Sequence, residues 1–360
     1  MKLFKDIYRN RSVLVTGSTG FKGSWLTLWL DKLGAKVHGY ALEPDTEPSH
    51  FKILSLKHGQ TFGDIRDYSH LDEVLRLTSP EIVFHLAAQP IVRKSFSDPL
   101  TTFETNVMGT VNVLESCRKC PKVRAVIHVS SDKCYENREW IWKYRENDRL
   151  GGHDPYSASK ACSELVVSSY VKSFFPLEEY GKSHKILLAS ARAGNVIGGG
   201  DWAQDRLVPD IVKSITKNTS LLIRCPDSIR PWQHVLEPLS GYLMLGGKLL
   251  EGMKEFSGAW NFGPSSQGLT VLDILHKFQE HWNISYNISS TQVLESSILG
   301  IDSTKANTLL EWMPVLDIDN ALDMTVEWFR EFSSTSQALS LKQLEEYIEL
   351  ATVKQITWSR

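Results

Sequence analysis

Cysteine is scarce in this chain: five in 360 residues, an odd number too thinly spread to staple a fold of this size. That excludes a disulfide framework and fits reduced thiols. Cys117 and Cys120 form a C-x-x-C, but no second Cys/His pair lies near them, and they read as incidental thiols. The histidines are scattered, so no clustered metal-ligand set emerges and no metal is expected. Charge of one sign is also lacking. Forty Lys and Arg face 42 Asp and Glu, with no long basic run, which removes the electrostatic basis for capture by nucleic acid or an anionic membrane. No uncharged apolar run is long enough to span a bilayer, and Met1 to Asn10 carries charge without an apolar core, so a cytosolic chain is expected. Internal repeats and extended low-complexity segments are absent. What remains is a charge-balanced enzyme-sized chain whose partner is a small molecule.

Three glycines stand out against this background. Gly17-Ser18-Thr19-Gly20-Phe21-Lys22-Gly23 follows the apolar run Ser12–Thr16 and leads into Ser24–Leu30, with Phe21, Trp25, Leu28 and Trp29 at helical spacing. This is a dinucleotide-binding turn. The first glycine permits the tight turn, the second lets a pyrophosphate approach the backbone, and the third lets helix pack on strand. The diphosphate meets free N–H groups at the positive end of the helix. Gly17, Thr19, Gly20, Phe21 and Gly23 are the candidate cofactor contacts, and redox chemistry is the expected class of function.

Strand-like runs at Lys36–Tyr40, Gln60–Gly63, Ile82–Leu86, Ala125–Val129 and Ile186–Ala191 alternate with amphipathic segments near 69–78, 98–119 and 156–173. The alternation predicts an α/β fold, a Rossmann-type doubly wound parallel sheet with a smaller, interleaved C-terminal substrate lobe. Residues 1–192 are assigned to the dinucleotide-binding domain, with a strand near 260–264 returning to it. Residues 193–333 form the substrate lobe, where Gly- and Pro-rich loops take over. Residues 334–360 are a helical tail with Leu341, Leu344, Tyr347, Ile348 and Leu350 on one apolar face.

Tyr156-Ser157-Ala158-Ser159-Lys160 places a phenol and an ammonium one helical turn apart. A neighbouring cation favours the phenolate, so Lys160 is expected to draw Tyr156 down from about 10 toward working pH, as a general base for a hydroxyl proton requires. Strand Ala125–Val129 ends in Ser130-Ser131-Asp132-Lys133, polar groups at the carboxyl end of a parallel strand, where such sheets bind ligands. Glycine turn, strand-end serine and Tyr/Lys helix, in this order, resemble the extended short-chain dehydrogenase/reductase family from about residue 10 to 333.

The resemblance implies that Ser131, Tyr156 and Lys160 are catalytic and that Tyr156 and Lys160 also meet the cofactor. It further implies that Leu86, Ala87, Ala88 and Gln89 line the nicotinamide side, that Asn106 is the helix asparagine, and that Asp64 and Ile65 contact adenine. Asp132 and Lys133 after the serine resemble the sugar-nucleotide 4,6-dehydratase branch, with Lys133 where a second acid is usual. The segments Gly151–Tyr156, Gly194–Trp202 and Arg230–Val235 carry the same resemblance. It implies NAD as cofactor and CDP-D-glucose as partner, with Asp132 as acid for the 6-hydroxyl. Lys133 handles the C5 proton as a neutral amine, or as an ammonium steadies Asp132 or the enolate oxygen; both stay open. Asn195, Arg206 and Arg230 are diphosphate candidates and His234 a substrate contact or a structural donor. NAD-specific sites often end the second strand in an acid; here Gly39-Tyr40-Ala41-Leu42 precedes Glu43. Glu311 stands where the family has glycine before tryptophan, a change expected to alter a turn. A homodimer built on the helices near 98–119 and 156–173, or a tetramer, is implied. The alternatives are a 4-epimerase and a non-catalytic NAD-binding scaffold.

Overall fold

Alternating apolar residues build the sheet and decide which helix covers which face. The computed structural model describes residues 2–265, 268–289 and 298–360. Seven strands, β1 (Ser12–Thr16), β2 (Lys36–Ala41), β3 (Gly59–Phe62), β4 (Ile82–His85), β5 (Ala125–Val129), β6 (Leu187–Ala193) and β7 (Gly258–Phe262), form one sheet in the order β7-β6-β5-β4-β1-β2-β3. Every pairing in it is parallel. Leu14, Val83, Val126 and Leu188 point to one layer. Their neighbours Val13, Val15, Ile82, Phe84, Ile127 and Leu187 point to the other, the two-residue period of a sheet buried on both sides.

Helices α1 (Phe21–Lys32), α2 (Tyr68–Thr78), α3 (Gly109–Lys119), α4 (Pro155–Ser173), α5 (Leu236–Leu250), α6 (Ile318–Thr335) and α7 (Ser340–Val353) supply most of the covering. Leu71 and Val74 of α2, Val113 and Leu114 of α3 and Val167 of α4 fill the first layer. Trp25 and Trp29 of α1 and Leu239 and Leu243 of α5 fill the second. The amphipathic stretch near 98–119 is broken: a short helix, Pro99–Phe103, passes through a π-helical turn at Glu104–Met108 before α3. Short strand pairs, Val196–Ile197 with Gln233–His234 and Ile229–Arg230 with Leu269–Thr270, carry the chain across the carboxyl ends of the sheet.

The tail packs on α1, where Trp358 stacks on Tyr347 with centroids 5.8 Å apart and meets Trp29 edge-on. Leu344, Tyr347 and Ile348 are buried as the periodicity predicts, whereas Leu341 and Leu350 are 47% and 40% exposed. At 100° per residue Leu350 points away from the face that Leu344, Tyr347 and Ala351 share. Glu311 lies in the left-handed region: its φ is +56°, a conformation that costs a side-chain-bearing residue about 1 kcal/mol more than glycine.

Glu237, in the first turn of α5, ties the tail to the body. It accepts the N–H groups of Val315 and Leu316 and the Tyr347 hydroxyl. Burial pushes its carboxyl up to about 7 against these bonds and Lys354. The folded value lies above the unfolded one, so this group's contribution to stability is fully present below about 4.5 and lost as pH rises through about 7. We expect Glu237→Gln to be more destabilising, relative to the native protein, at pH 5 than at pH 8 in urea unfolding. A pH-independent difference would refute the linkage.

Candidate active site

The glycine turn is shaped by packing on two sides and left open on the third. Gly17 has φ +74°, and a Cβ there would lie 2.7 Å from the Ala87 nitrogen, so the turn sits against the segment that follows β4. A Cβ on Gly23 would meet the Gly17 carbonyl at 2.0 Å, the close helix–turn approach. Gly20 differs: its Cβ would meet only that same oxygen, at 3.4 Å. Glycine there answers no crowding from the protein and keeps a cradle free for a ligand. Gly20 caps α1 without a side-chain bond, so the first N–H groups of the helix are available to an anion. These residues fit a dinucleotide diphosphate. Thr19 spends its hydroxyl on the Leu42 carbonyl, tying the turn to the end of β2.

Leu86, Ala87 and Ala88 are partly exposed beside this turn. Gln89 and Asn106 lie one layer behind. Asn106 accepts the Gln89 N–H at 2.8 Å and donates to the Gln89 carbonyl and to Ser159 Oγ, so its amide holds the strand-end segment to α4. The π-turn creates this placement. The Ile65 side chain packs on Gly109 of α3. The Asp64 carboxylate is engaged by Arg66 at 2.7 Å.

The catalytic candidates converge where β5 meets α4. Asp154 caps α4 by accepting the Ser157 N–H at 2.9 Å, with Pro155 in the first turn, and this start places Tyr156 at the helix mouth. Ser131 caps the turn Asp132–Cys134 through the Lys133 N–H, and its hydroxyl favours the ionised form of Tyr156. The tyrosine itself differs from the expectation. Burial raises it to about 12, with Ser131 and Arg206 pulling down and Asp132 pushing up. Desolvation of the phenolate outweighs the cations. Lys160 is lowered by burial to about 8, with Glu164 opposing.

Asp132 is buried, and burial raises its carboxyl against Lys133, Ser131, Arg230 and Lys22. Its Oδ1 accepts from Ser131 at 3.0 Å, while Oδ2 has no partner. A buried oxygen left unpaired, in a carboxyl biased toward its protonated form, is equipped to give a proton to a ligand. Lys22 was not singled out by the sequence. It lies inside the glycine motif, and burial lowers it to about 8, with Arg206 and Lys160 adding to the effect and Asp132 opposing. Its position between Phe21 and Gly23 was the available signal. Arg206 is held by Asp201 at 2.9 Å, and Arg230 is buried. Lys22, Arg206 and Arg230 make the cleft cationic, which suits a diphosphate. Asn195 is partly exposed there, its carbonyl accepting from Gln233. His234 is fully buried, edge-on to Trp25 at 6.1 Å, and its Nε2 has no partner among the described residues. Burial lowers it to about 3, and its Nδ1 accepts the Leu236 N–H.

A family model described as GDP-mannose 4,6 dehydratase matches residues 14–245. The chain belongs to that family. It is 46% identical to the CDP-glucose 4,6-dehydratase of Salmonella typhimurium over 97% of this chain and 99% of that protein. Against the UDP-glucose 4-epimerase of Mycoplasma pneumoniae the identity is 23%, over 89% of this chain and 97% of the other. Among solved structures, the dTDP-glucose 4,6-dehydratase of Streptomyces venezuelae with NAD bound superposes with a TM-score of 0.77 at 24% identity, covering 89% of this chain and 98% of that one. At that identity the likeness speaks for the fold of this family member, a short-chain dehydrogenase/reductase of the sugar-nucleotide dehydratase type. No helix among the described residues is long and apolar enough to cross a membrane.

Proposed function

We propose that this family member is an NAD-dependent lyase that converts CDP-D-glucose to CDP-4-dehydro-6-deoxy-D-glucose and water. The observation that carries the reading is the unpaired Oδ2 of Asp132, in the same cleft as Tyr156 and Lys160. A 4-epimerase needs the tyrosine and lysine but no acid for a departing 6-hydroxyl. Cytidine is taken from the 46% identical relative. NAD is preferred to its 2′-phosphorylated form because β2 runs out into Leu42 and Glu43 with no cation to meet a phosphate.

When bound, NAD supplies a hydride acceptor for C4 and a donor for C6. Tyr156 takes the proton of the 4-hydroxyl, and Ser131 hydrogen-bonds the same oxygen. The ketone formed at C4 acidifies the C5 hydrogen, which Lys133 receives. Asp132 protonates the 6-hydroxyl so that it leaves as water. Arg206, Arg230 and Asn195 hold the diphosphate, and Lys160 keeps a positive charge beside the tyrosine. We assign the protein to the cytosol as a homodimer, supported by Leu100 and Leu165, which are 70% and 58% exposed on the helices that carry the resemblance to the dimer face.

Purified protein with NAD, offered CDP-, dTDP-, UDP- and GDP-glucose and GDP-mannose in turn, should release a product lighter by one water from CDP-glucose. A product of unchanged mass and inverted C4 would overturn the dehydratase reading in favour of the epimerase, and preference for another nucleotide would overturn the cytidine assignment.

A further inference from the structure

A buried ion pair lies directly beneath the Tyr156 and Lys160 helix turn, and the reaction sequence above does not use it. Glu164 stands one helical turn after Lys160 on α4, the spacing that puts two side chains on one face. Its carboxylate is gripped at both oxygens by Arg192 of β6, with Nε to Oε1 at 2.9 Å and the terminal nitrogen to Oε2 at 2.8 Å, and Ser190 donates to it as well. Their side chains are 2% and 4% exposed. Arg192 continues to the Tyr135 hydroxyl at 2.8 Å and the Glu146 carbonyl at 3.0 Å, and Tyr135 donates to Asn261 of β7. The pair thus joins α4, β6, β7 and the chain that leaves the Asp132–Cys134 turn.

Two charges withdrawn from water are seldom retained for stability alone, since the desolvation cost cancels much of their attraction. The neighbours of Lys160 suggest what the pair does. Groups that share its field are His85 on β4, His128 on β5, Cys134 in the turn after β5, Lys22 on α1 and Glu164 on α4. Burial keeps both histidines well below their ordinary value and hence neutral, and raises the Cys134 thiol. Lys22 repels. The one carboxylate in the set is Glu164. Burial alone would push Glu164 up toward its neutral form, but Arg192 more than offsets this and leaves it below the ordinary carboxylate value.

We propose that Glu164, held ionised and in place by Arg192, is a positioning residue that keeps Lys160 charged inside the cleft. It acts through Lys160 and touches neither substrate nor cofactor. This rests on the reading of Lys160 as the charge that serves Tyr156. Removing the carboxylate lets burial and Lys22 lower Lys160 further from about 8, so the alkaline limb of C4 oxidation should move down by about one pH unit.

The test measures, in the NAD-loaded protein, the pH dependence of cofactor reduction on CDP-glucose for native protein and Glu164→Gln. Alongside it, the pH dependence of Lys160 acetylation by acetic anhydride, read by peptide mass, reports the same ionisation without turnover. Both curves should shift to lower pH by the same amount. Because Glu164→Gln leaves Arg192 unpaired, E164Q/R192M removes both charges and should give the same direction of shift should the single variant not fold. A folded variant whose Lys160 labelling curve coincides with that of the native protein overturns the proposal, whatever its rate. Native protein inactive on CDP-glucose, with the labelling curve still shifted, would instead strike the reaction assignment and leave Glu164 in its role.

Discussion

Replacing Tyr156 by phenylalanine should reduce turnover by about 10²–10⁴-fold, the range that a positioned acid–base group contributes, while leaving the fold and NAD affinity unchanged. The substitution removes one oxygen from a ring that is buried at the mouth of α4, and the helix keeps its Asp154 cap. The phenol sits at about 12 because burial opposes its ionisation. Its proton is therefore in place at neutral pH in the ligand-free protein, and Lys160, Arg206 and the bound ligands must favour the phenolate during the reaction. Steady-state turnover together with a fluorescence titration of NAD checks both halves. A variant with native turnover would remove Tyr156 from the chemistry, and one that no longer binds NAD would make it a cofactor contact first.

The second large effect is expected at Asp132. Asparagine keeps the size of the side chain and can still accept from Ser131, as Oδ1 does at 3.0 Å, but it has no acidic proton for the 6-hydroxyl. Oxidation at C4 should proceed and the elimination should stall, so overall turnover falls by about 10²–10⁴-fold while reduced cofactor accumulates. A stopped-flow trace at the nicotinamide absorbance should show a rise that persists in Asp132→Asn and decays in the native protein. Normal dehydration without that rise would assign the proton to another group. Glycine at 194 lets the chain pass close to the unpaired Oδ2, since a Cβ there would lie 3.0 Å from it and 2.4 Å from Pro231 Cγ.

These two predictions fall on residues legible in the sequence, and the reason is distance along the chain. The glycine turn, the Tyr156/Lys160 spacing and the strand-end serine with its aspartate each occupy a short stretch, so their chemistry is written in local order and helical or strand period. The seven strands were legible for the same cause. Five follow apolar runs whose alternation matches the two faces of the sheet, β3 is the partly exposed Gly59–Phe62 at the end of the strand order, and the seventh sits at the Trp260–Phe262 run, two residues before the expected start. Even in the tail, three of the five positions expected on its apolar face, Leu344, Tyr347 and Ile348, are buried.

Other properties are sums over residues far apart in the chain, and no local pattern carries them. Lys22 shares the cleft with Asp132, Lys160 and Arg206 only because β1, β5, α4 and the 193–206 loop end at one edge of the sheet. Burial decided the protonation of Tyr156 against the local cation, a balance fixed by how much protein surrounds the ring. Asn106 and His234 bond Gln89, Ser159 and Leu236, partners set by the π-turn and the Gln233–His234 strand. Glu164 and Arg192 are separated by 28 residues and look unremarkable in sequence. The sequence by itself determined the doubly wound sheet and the candidates for the reacting groups, because periodicity and short motifs are local. The tertiary structure alone decided which of those groups are charged, paired or buried, because desolvation and Coulomb fields depend on neighbours that only folding brings together.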